Sequence, residues 1–451
     1  MLRFLLCLSL CWVPSMVVQG ASVVKASTIQ IQKDDTYSFK LKNGMNVVFR
    51  RLAGSPIVQL SLGFYYGRAQ TAPHLRGAVH TVFSAAMLGG GGMTKEQWYG
   101  FLQKYSASAG CSHGIEVSNC HLKVVKDYWP EVLAAFAKVV AAPSFNKKDV
   151  ELLKSHTFAA LKQKQFNPSF MSNETVNTKF YPKGHPYFVS LADSIDQIRK
   201  ASAEDLKKAF HQARLRDDGV LTVVGDFALK SLKKDLDKSF GGWKLKKAPP
   251  YKAATPEFDK NSNFAFKSQP IPTAYITIKS NAPGQKAKDN DATLLMYRIL
   301  SHELAEEIRT KRSLSYAVHA SMINYSLGVG VITASTSKPK ETLQAIAEVV
   351  AKMKSKTFSH KEISSFRNVF ATSYFLILEE HSRLSGALSR AFAYHRDPNW
   401  LYDWPTRMDK VSGAAIKEAA RKYLRDFRVG VVFDEKKFDK KWVEPLLQSS
   451  H

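Results

Sequence analysis

Two short runs in this 451-residue chain carry side chains that could do chemistry on a peptide. The first is Arg309-Thr-Lys-Arg-Ser-Leu-Ser-Tyr316. A guanidinium offers fixed donors and a phenol offers one more. An arginine and a tyrosine seven positions apart could both aim where negative charge develops on a carbonyl. The bland alternative has Arg309 offsetting a helix C-terminal dipole while Tyr316 packs in a sheet. The second run is Gly77-Ala-Val-His-Thr-Val-Phe-Ser84. A hydrolytic zinc needs three protein ligands, an open position for water and a nearby carboxylate. Two ligands on one helix must stand four apart to leave the same face. Here that pair is His80 and Ser84, and serine is a poor zinc ligand beside a neutral imidazole.

The elements that would hold these runs can be read from local pattern. Phe39 and Leu41 alternate with polar residues, Asn43-Gly44 supplies a turn, and Met45, Val47 and Phe49 resume the alternation, which predicts a hairpin. Ile57 to Phe64 is a further strand. A helix is expected from about Gly77 to Leu88, stopped by the flexible run Gly89-Gly-Gly-Gly92. In the later run, Leu300, Leu304 and Ile308 form an apolar helical stripe that Arg309 ends, and Leu314 to Val318 alternates like a strand.

The chain also repeats itself. Ser144–Lys148 recurs as Thr357–Lys361, and Asp196–Ile198 as Asp409–Val411, both 213 residues on. The stripe Leu133, Phe136, Val140 recurs as Ile346, Val349, Met353. Two copies of one mixed unit of about 210 residues are implied. The first spans 28–240 and the second 264–445, and the proline- and lysine-bearing stretch 241–263 reads as a linker. Each copy runs from strands through long helices to a closing strand (Val220 to Val224; Val429 to Phe433), an α+β order.

Both chemical runs resemble the pitrilysin-type (M16) zinc peptidases, the family that includes the mitochondrial processing peptidases. That family carries an inverted motif, His-x-x-Glu-His, usually preceded by Gly-x-Ala. Gly77-Ala-Val-His80 matches the approach, but Phe83 then stands at the general-base position and Ser84 at the second histidine. The family's third ligand, a glutamate on a later helix, falls roughly at Lys154 to Lys164, where no carboxylate occurs. On this resemblance His80 is a packed helix histidine. The alternative is a metal site rebuilt from His80 with His113, His121 or His156. The run from Arg309 to Tyr316 resembles the family segment whose arginine and tyrosine reach toward the zinc of the opposite half and bind the peptide carbonyl.

The resemblance implies two homologous mixed α/β lobes, and two such chains closing into a chamber. It further implies a non-zinc-binding, substrate-holding subunit. The zinc would be carried by a partner chain with the motif intact, and Arg309 and Tyr316 would be supplied to unfolded peptide in the partner's site. The rival readings are a non-proteolytic scaffold of the same fold and an active peptidase with a rebuilt metal site.

Composition bounds the setting. Arg3 is the only charge in the first twenty residues, Phe4 to Val13 is apolar, and Val18-Gln-Gly20 offers a cleavage site, so residues 1–20 read as a signal peptide and the chain as exported, periplasmic or secreted. A formal charge of +26 favours acidic peptides, an acidic partner or an anionic envelope surface, or is simply a solvated lysine-rich exterior. No nucleic-acid recognition motif accompanies it. Cys111 and Cys120, with eight residues between them, could cross-link a hairpin or remain free thiols.

Overall fold

The computed structural model describes residues 35–251 and 263–448. The signal-peptide segment 1–20 lies outside the described residues, as do residues 252–262 of the stretch read as a linker.

The expected hairpin forms from β1 (Thr36–Lys40) and β2 (Asn46–Arg51), with Gly44 at φ +87° in the turn. It joins β3 (Ile57–Phe64), β4 (Ser108–Ser112), β5 (Ser118–Val125) and β6 (Val220–Gly225) in a sheet ordered β1-β2-β6-β3-β5-β4. The second sheet contains β7 (Phe264–Ser268), β8 (Ala274–Ala282), β9 (Ala317–Asn324), β10 (Gly328–Thr336) and β11 (Arg428–Phe433), ordered β7-β11-β8-β10-β9. Apart from β1, the second sheet repeats the first strand for strand. Each has a single parallel pair, β2 with β6 and β7 with β11, and antiparallel pairs elsewhere. The mixed α/β architecture inferred from the repeat is therefore the observed one.

The helices that matter are α1 (Val79–Ala85), α2 (Trp129–Ala141), α3 (Lys147–Lys164), α4 (Pro168–Phe180), α5 (Asn290–Leu304), α6 (Pro339–Ser355), α7 (His360–Glu379) and α8 (His381–His395). The repeated stripes of α2 and α6 are buried: Leu133, Phe136 and Val140 in one core, Ile346, Val349 and Met353 in the other.

One face of each sheet is closed by a helix from the opposite half. Helix α4 lies on β8 and β11 of the second sheet, and its Ser172 hydroxyl bonds that of Thr277 at 2.8 Å. Gly430 in β11 allows the approach: a Cβ there would meet the Ser172 carbonyl and the Val176 nitrogen at 2.6 Å. Reciprocally, Leu384, Leu388 and Phe392 of α8 pack on Val48, Val220 and Val224 of the first sheet.

Two expectations need correction. The helix at Gly77 to Leu88 is shorter: Pro73–Ala78 is a 3-10 turn, and α1 spans only Val79–Ala85. The glycine run that follows is a packed corner rather than a flexible turn. All four of its residues have positive φ, and Gly90 bridges both Met93 and Pro143. The start of the stretch read as a linker is also tied down. Lys246 N–H donates to the Leu215 carbonyl at 2.6 Å, and Arg214 lies over the Trp243 ring.

Candidate functional site

Helix α1 turns Val79, Thr81, Val82, Phe83 and Ala85 into the first core. Phe83 is fully buried, its ring centroid 6.1 Å from Phe64 and 5.8 Å from Phe210. A carboxylate at that position would stand among aromatic rings. His80 is one residue off the buried stripe and is therefore not the packed histidine expected. It opens to solvent along one edge and faces a cleft, 5.3 Å from the ring of His113 just after β4.

That cleft encloses about 410 Å³ between α1, α3, α4 and the turn after β3. Its polar lining includes His80, His113, Arg68, Lys164, Glu174 and Asn177. Burial and the Lys164 ammonium lower the His80 pKa. Burial, then His80, Arg68 and Lys164, push His113 down to about 4, so both imidazoles are neutral at physiological pH. Burial also lowers the Arg68 pKa. The Arg68 Nη1 reaches the Tyr187 carbonyl at 3.5 Å, while its buried Nε has no hydrogen-bond partner. Lys164 lies over the Phe170 ring, 5.3 Å from its centroid, with no carboxylate partner among the described residues. The Glu174 carboxyl is raised by burial and accepts the Leu191 N–H at 2.5 Å. Beneath it, the buried Lys279 of β8 donates to the Asn177 side-chain oxygen at 2.5 Å, and burial pushes its pKa down to about 7.

These residues do not fit a zinc ion. Two imidazoles are joined by a guanidinium and an ammonium, and the one carboxylate in the cleft already accepts a backbone N–H. A dication would meet like charge where the chemistry requires an anionic ligand. Neither His121 on β5 nor His156 on α3 lines the cleft, nor does Ser84. Among the described residues no group of three or more His, Cys, Asp or Glu side chains is arranged to hold a metal. Cys111 and Cys120 stand directly opposite each other in the β4–β5 register and are joined by a disulfide.

Arg309 and Tyr316 lie elsewhere and do not line this cleft. Helix α5 does not stop at Arg309: it continues as a π-helical segment, Ala305–Lys311, with Ile308 buried and Arg309 exposed. Glu307 is taken by Lys311 and Arg312 at 3.1 and 2.7 Å, and Arg309 has no ion pair among the described residues. The following turn is pinned. Leu314 N–H donates to the Ile308 carbonyl, Thr336 Oγ1 to the Leu314 carbonyl, and Ser315 Oγ to the Ser335 carbonyl, all within 2.8 Å. Strand β9 begins only at Ala317, so of the run Leu314 to Val318 only its last two residues are strand. Tyr316 therefore leaves a rigid corner with its side chain outward, 91% exposed, which rules out packing in a sheet.

The same three kinds of element enclose a second cleft of about 640 Å³ between α5, β9 and α7. Within it Ser301 Oγ lies 2.9 Å from His319 Nδ1, and Arg298 stacks over the Phe370 ring. Val369, at 65% exposure, leaves its lip apolar.

A buried carboxylate outside the cleft also escaped the sequence reading. Glu116, fully buried, accepts hydrogen bonds from Tyr187 and Tyr394 (the latter at 2.7 Å) and from the Ser326 N–H at 2.9 Å. It thereby ties three distant segments together where the halves meet.

Comparison with known proteins agrees with this geometry. Residues 200–370 match the family model described as the peptidase M16 inactive domain. The chain is 21% identical to a non-peptidase homolog, YmxG, of Helicobacter pylori over 337 residues, 70% of this chain and 75% of that protein. A crystal structure of a peptidase M16 inactive domain from Pseudomonas fluorescens superposes with a TM-score of 0.80 at 20% identity, covering 88% of this chain and 98% of that one. The periplasmic protease PqqL of Escherichia coli superposes with a TM-score of 0.77 at 15% identity over 90% of this chain, which spans only 46% of that longer protein. The fold is thus that of the M16 peptidases, and the matched segment, which lies beyond the motif at His80, Phe83 and Ser84, is of the type described as inactive. No helix among the described residues is long and apolar enough to cross a membrane.

Proposed function

We propose that this chain is the non-catalytic, substrate-holding subunit of an exported heterodimeric M16-type metallopeptidase. It binds no zinc of its own and lends Arg309 and Tyr316 to a partner chain whose zinc motif is intact. The observation that carries this reading is the placement of those two residues. They project from a hydrogen-bonded corner, away from the cleft beside His80, with their polar groups free to meet another molecule. A guanidinium and a phenol held in this way are suited to developing charge on a peptide carbonyl. The Cys111–Cys120 disulfide supports an oxidising compartment, in keeping with the signal-like first twenty residues.

The test is reconstitution with the zinc-bearing M16 chain that co-purifies from the native source. The isolated chain is expected to hydrolyse nothing, and the pair to cleave an unfolded peptide. Arg309→Ala should lower turnover about 10²-fold, the usual effect of removing an oxyanion donor. Unchanged turnover in that variant removes the clamp, and the absence of any zinc-motif chain among the co-purifying proteins favours the scaffold reading.

A further inference from the structure

The cleft beside His80 is not a dead metal site. We propose that it is a receptor pocket for a peptide carboxylate, so that this subunit selects peptides by an acidic side chain or a free C-terminus. The proposal deepens the peptide-holding reading and rests on it.

Four observations converge. Arg68 carries a buried Nε–H with no acceptor, and a buried unmet donor costs free energy until a ligand oxygen reaches it. Lys164 stands at the rim with no carboxylate partner among the described residues, its ammonium held over Phe170. The His80 and His113 rings, 5.3 Å apart, both line the same space, and an imidazole can donate an N–H to an anion. The volume, about 410 Å³, admits one carboxyl-bearing side chain with its flanking backbone, not a folded partner.

The charge count narrows the ligand further. Arg68 and Lys164 are positive, Glu174 is negative and the imidazoles are neutral, which leaves one net positive charge lining the cleft. A monoanion matches that balance; a dianionic phosphate would exceed it, and a cation would be repelled. In a partly dry cleft, hydrogen bonds from cations to a carboxylate are short and strong. This contact differs from the diffuse attraction of a +26 chain, which salt screens.

The experiment uses the full chain alone and fluorescence anisotropy with labelled unstructured peptides at 0.15 M salt. One peptide ends in a free acid, one is its C-terminal amide, one carries an internal Asp and one the matching Asn. Peptides with a carboxylate should bind about 10-fold tighter than their neutral counterparts, as expected for one charge-assisted contact. The acid–amide and Asp–Asn pairs show which carboxylate source is read. Lys164→Glu, at an exposed position that leaves the fold intact, should abolish the preference, and Arg68→Gln should weaken it. Equal binding of acidic and neutral peptides overturns the proposal, as does a preference that survives both substitutions. A pair whose turnover still depends on Arg309 despite equal binding sinks this inference alone. Failure of every peptide to bind sinks the substrate-holding reading with it.

Discussion

Two clefts of this molecule share three equivalent elements and have diverged, the first being lined also by α4 and the turn after β3. In the first, α1, the end of β4 and α3 surround an unmatched guanidinium and an unpaired ammonium. In the second, α5, β9 and α7 surround the Ser301–His319 contact and the Arg298 guanidinium stacked on Phe370, with an exposed apolar lip at Val369. Duplication supplied two equivalent hollows: the first gathers two cations, two imidazoles and a carboxylate, the second one cation and two imidazoles. The second cleft instead shares its bounding elements with the clamp: the π-helical turn and the root of β9 carry Arg309 and Tyr316. The first half thus gathers its cations within its cleft, while the clamp residues of the second stand outside its own.

Substitutions can break that contrast. Phe83→Glu, the change nearest to restoring a general base, should lose about 5 kcal/mol, because a fully buried ring gives way to an unpaired carboxylate. A thermal melt by circular dichroism reads it, and an unshifted melt would mean that α1 is not closed to polar groups. Lys279→Met sharpens the comparison from the buried face of the second sheet. The lysine titrates at about 7 in the folded chain against 10.5 when free, so the unfolded state binds more protons between those values and stability rises with pH there. The penalty of burying the ammonium is fully present below pH 7 and gone by about pH 10.5. Removing it should raise stability by roughly 4 kcal/mol at pH 6 and hardly at all near pH 10.5, measured by urea unfolding across that range. Reducing Cys111–Cys120, which staples the edge of the first sheet alone, should cost about 2–3 kcal/mol in the same assay. Val369→Glu, at the exposed lip of the second cleft, should change stability by less than about 0.5 kcal/mol.

Much of the fold was legible because its signals are local. Alternation gave the hairpin and β3, and the recurring stripes of α2 and α6 gave the duplication. The crossed packing of α4 and α8 was not, since a helix pattern shows that an apolar face exists and not which sheet it meets. The same limit applied at the site. His80, Phe83 and Ser84 could be read from motif spacing, yet the outward turn of His80 depends on where the α1 stripe falls against the core. Arg68 went unnoticed because its neighbours His113, Lys164 and Glu174 are remote in sequence. Glu116 left one faint sign, a lone carboxylate between Ile115 and Val117 at a hairpin tip, where a solvent-facing loop would have no use for such flanks.

The exchange of α4 and α8 has a bearing on how this protein is made. Synthesised alone, the leading segment would leave Val48, Val220 and Val224 uncovered until residues near Leu388 left the ribosome, so maturation must await nearly the whole polypeptide. Expressed as separate fragments, neither portion should reach a native state unaided, while co-expressed fragments should assemble without a covalent link.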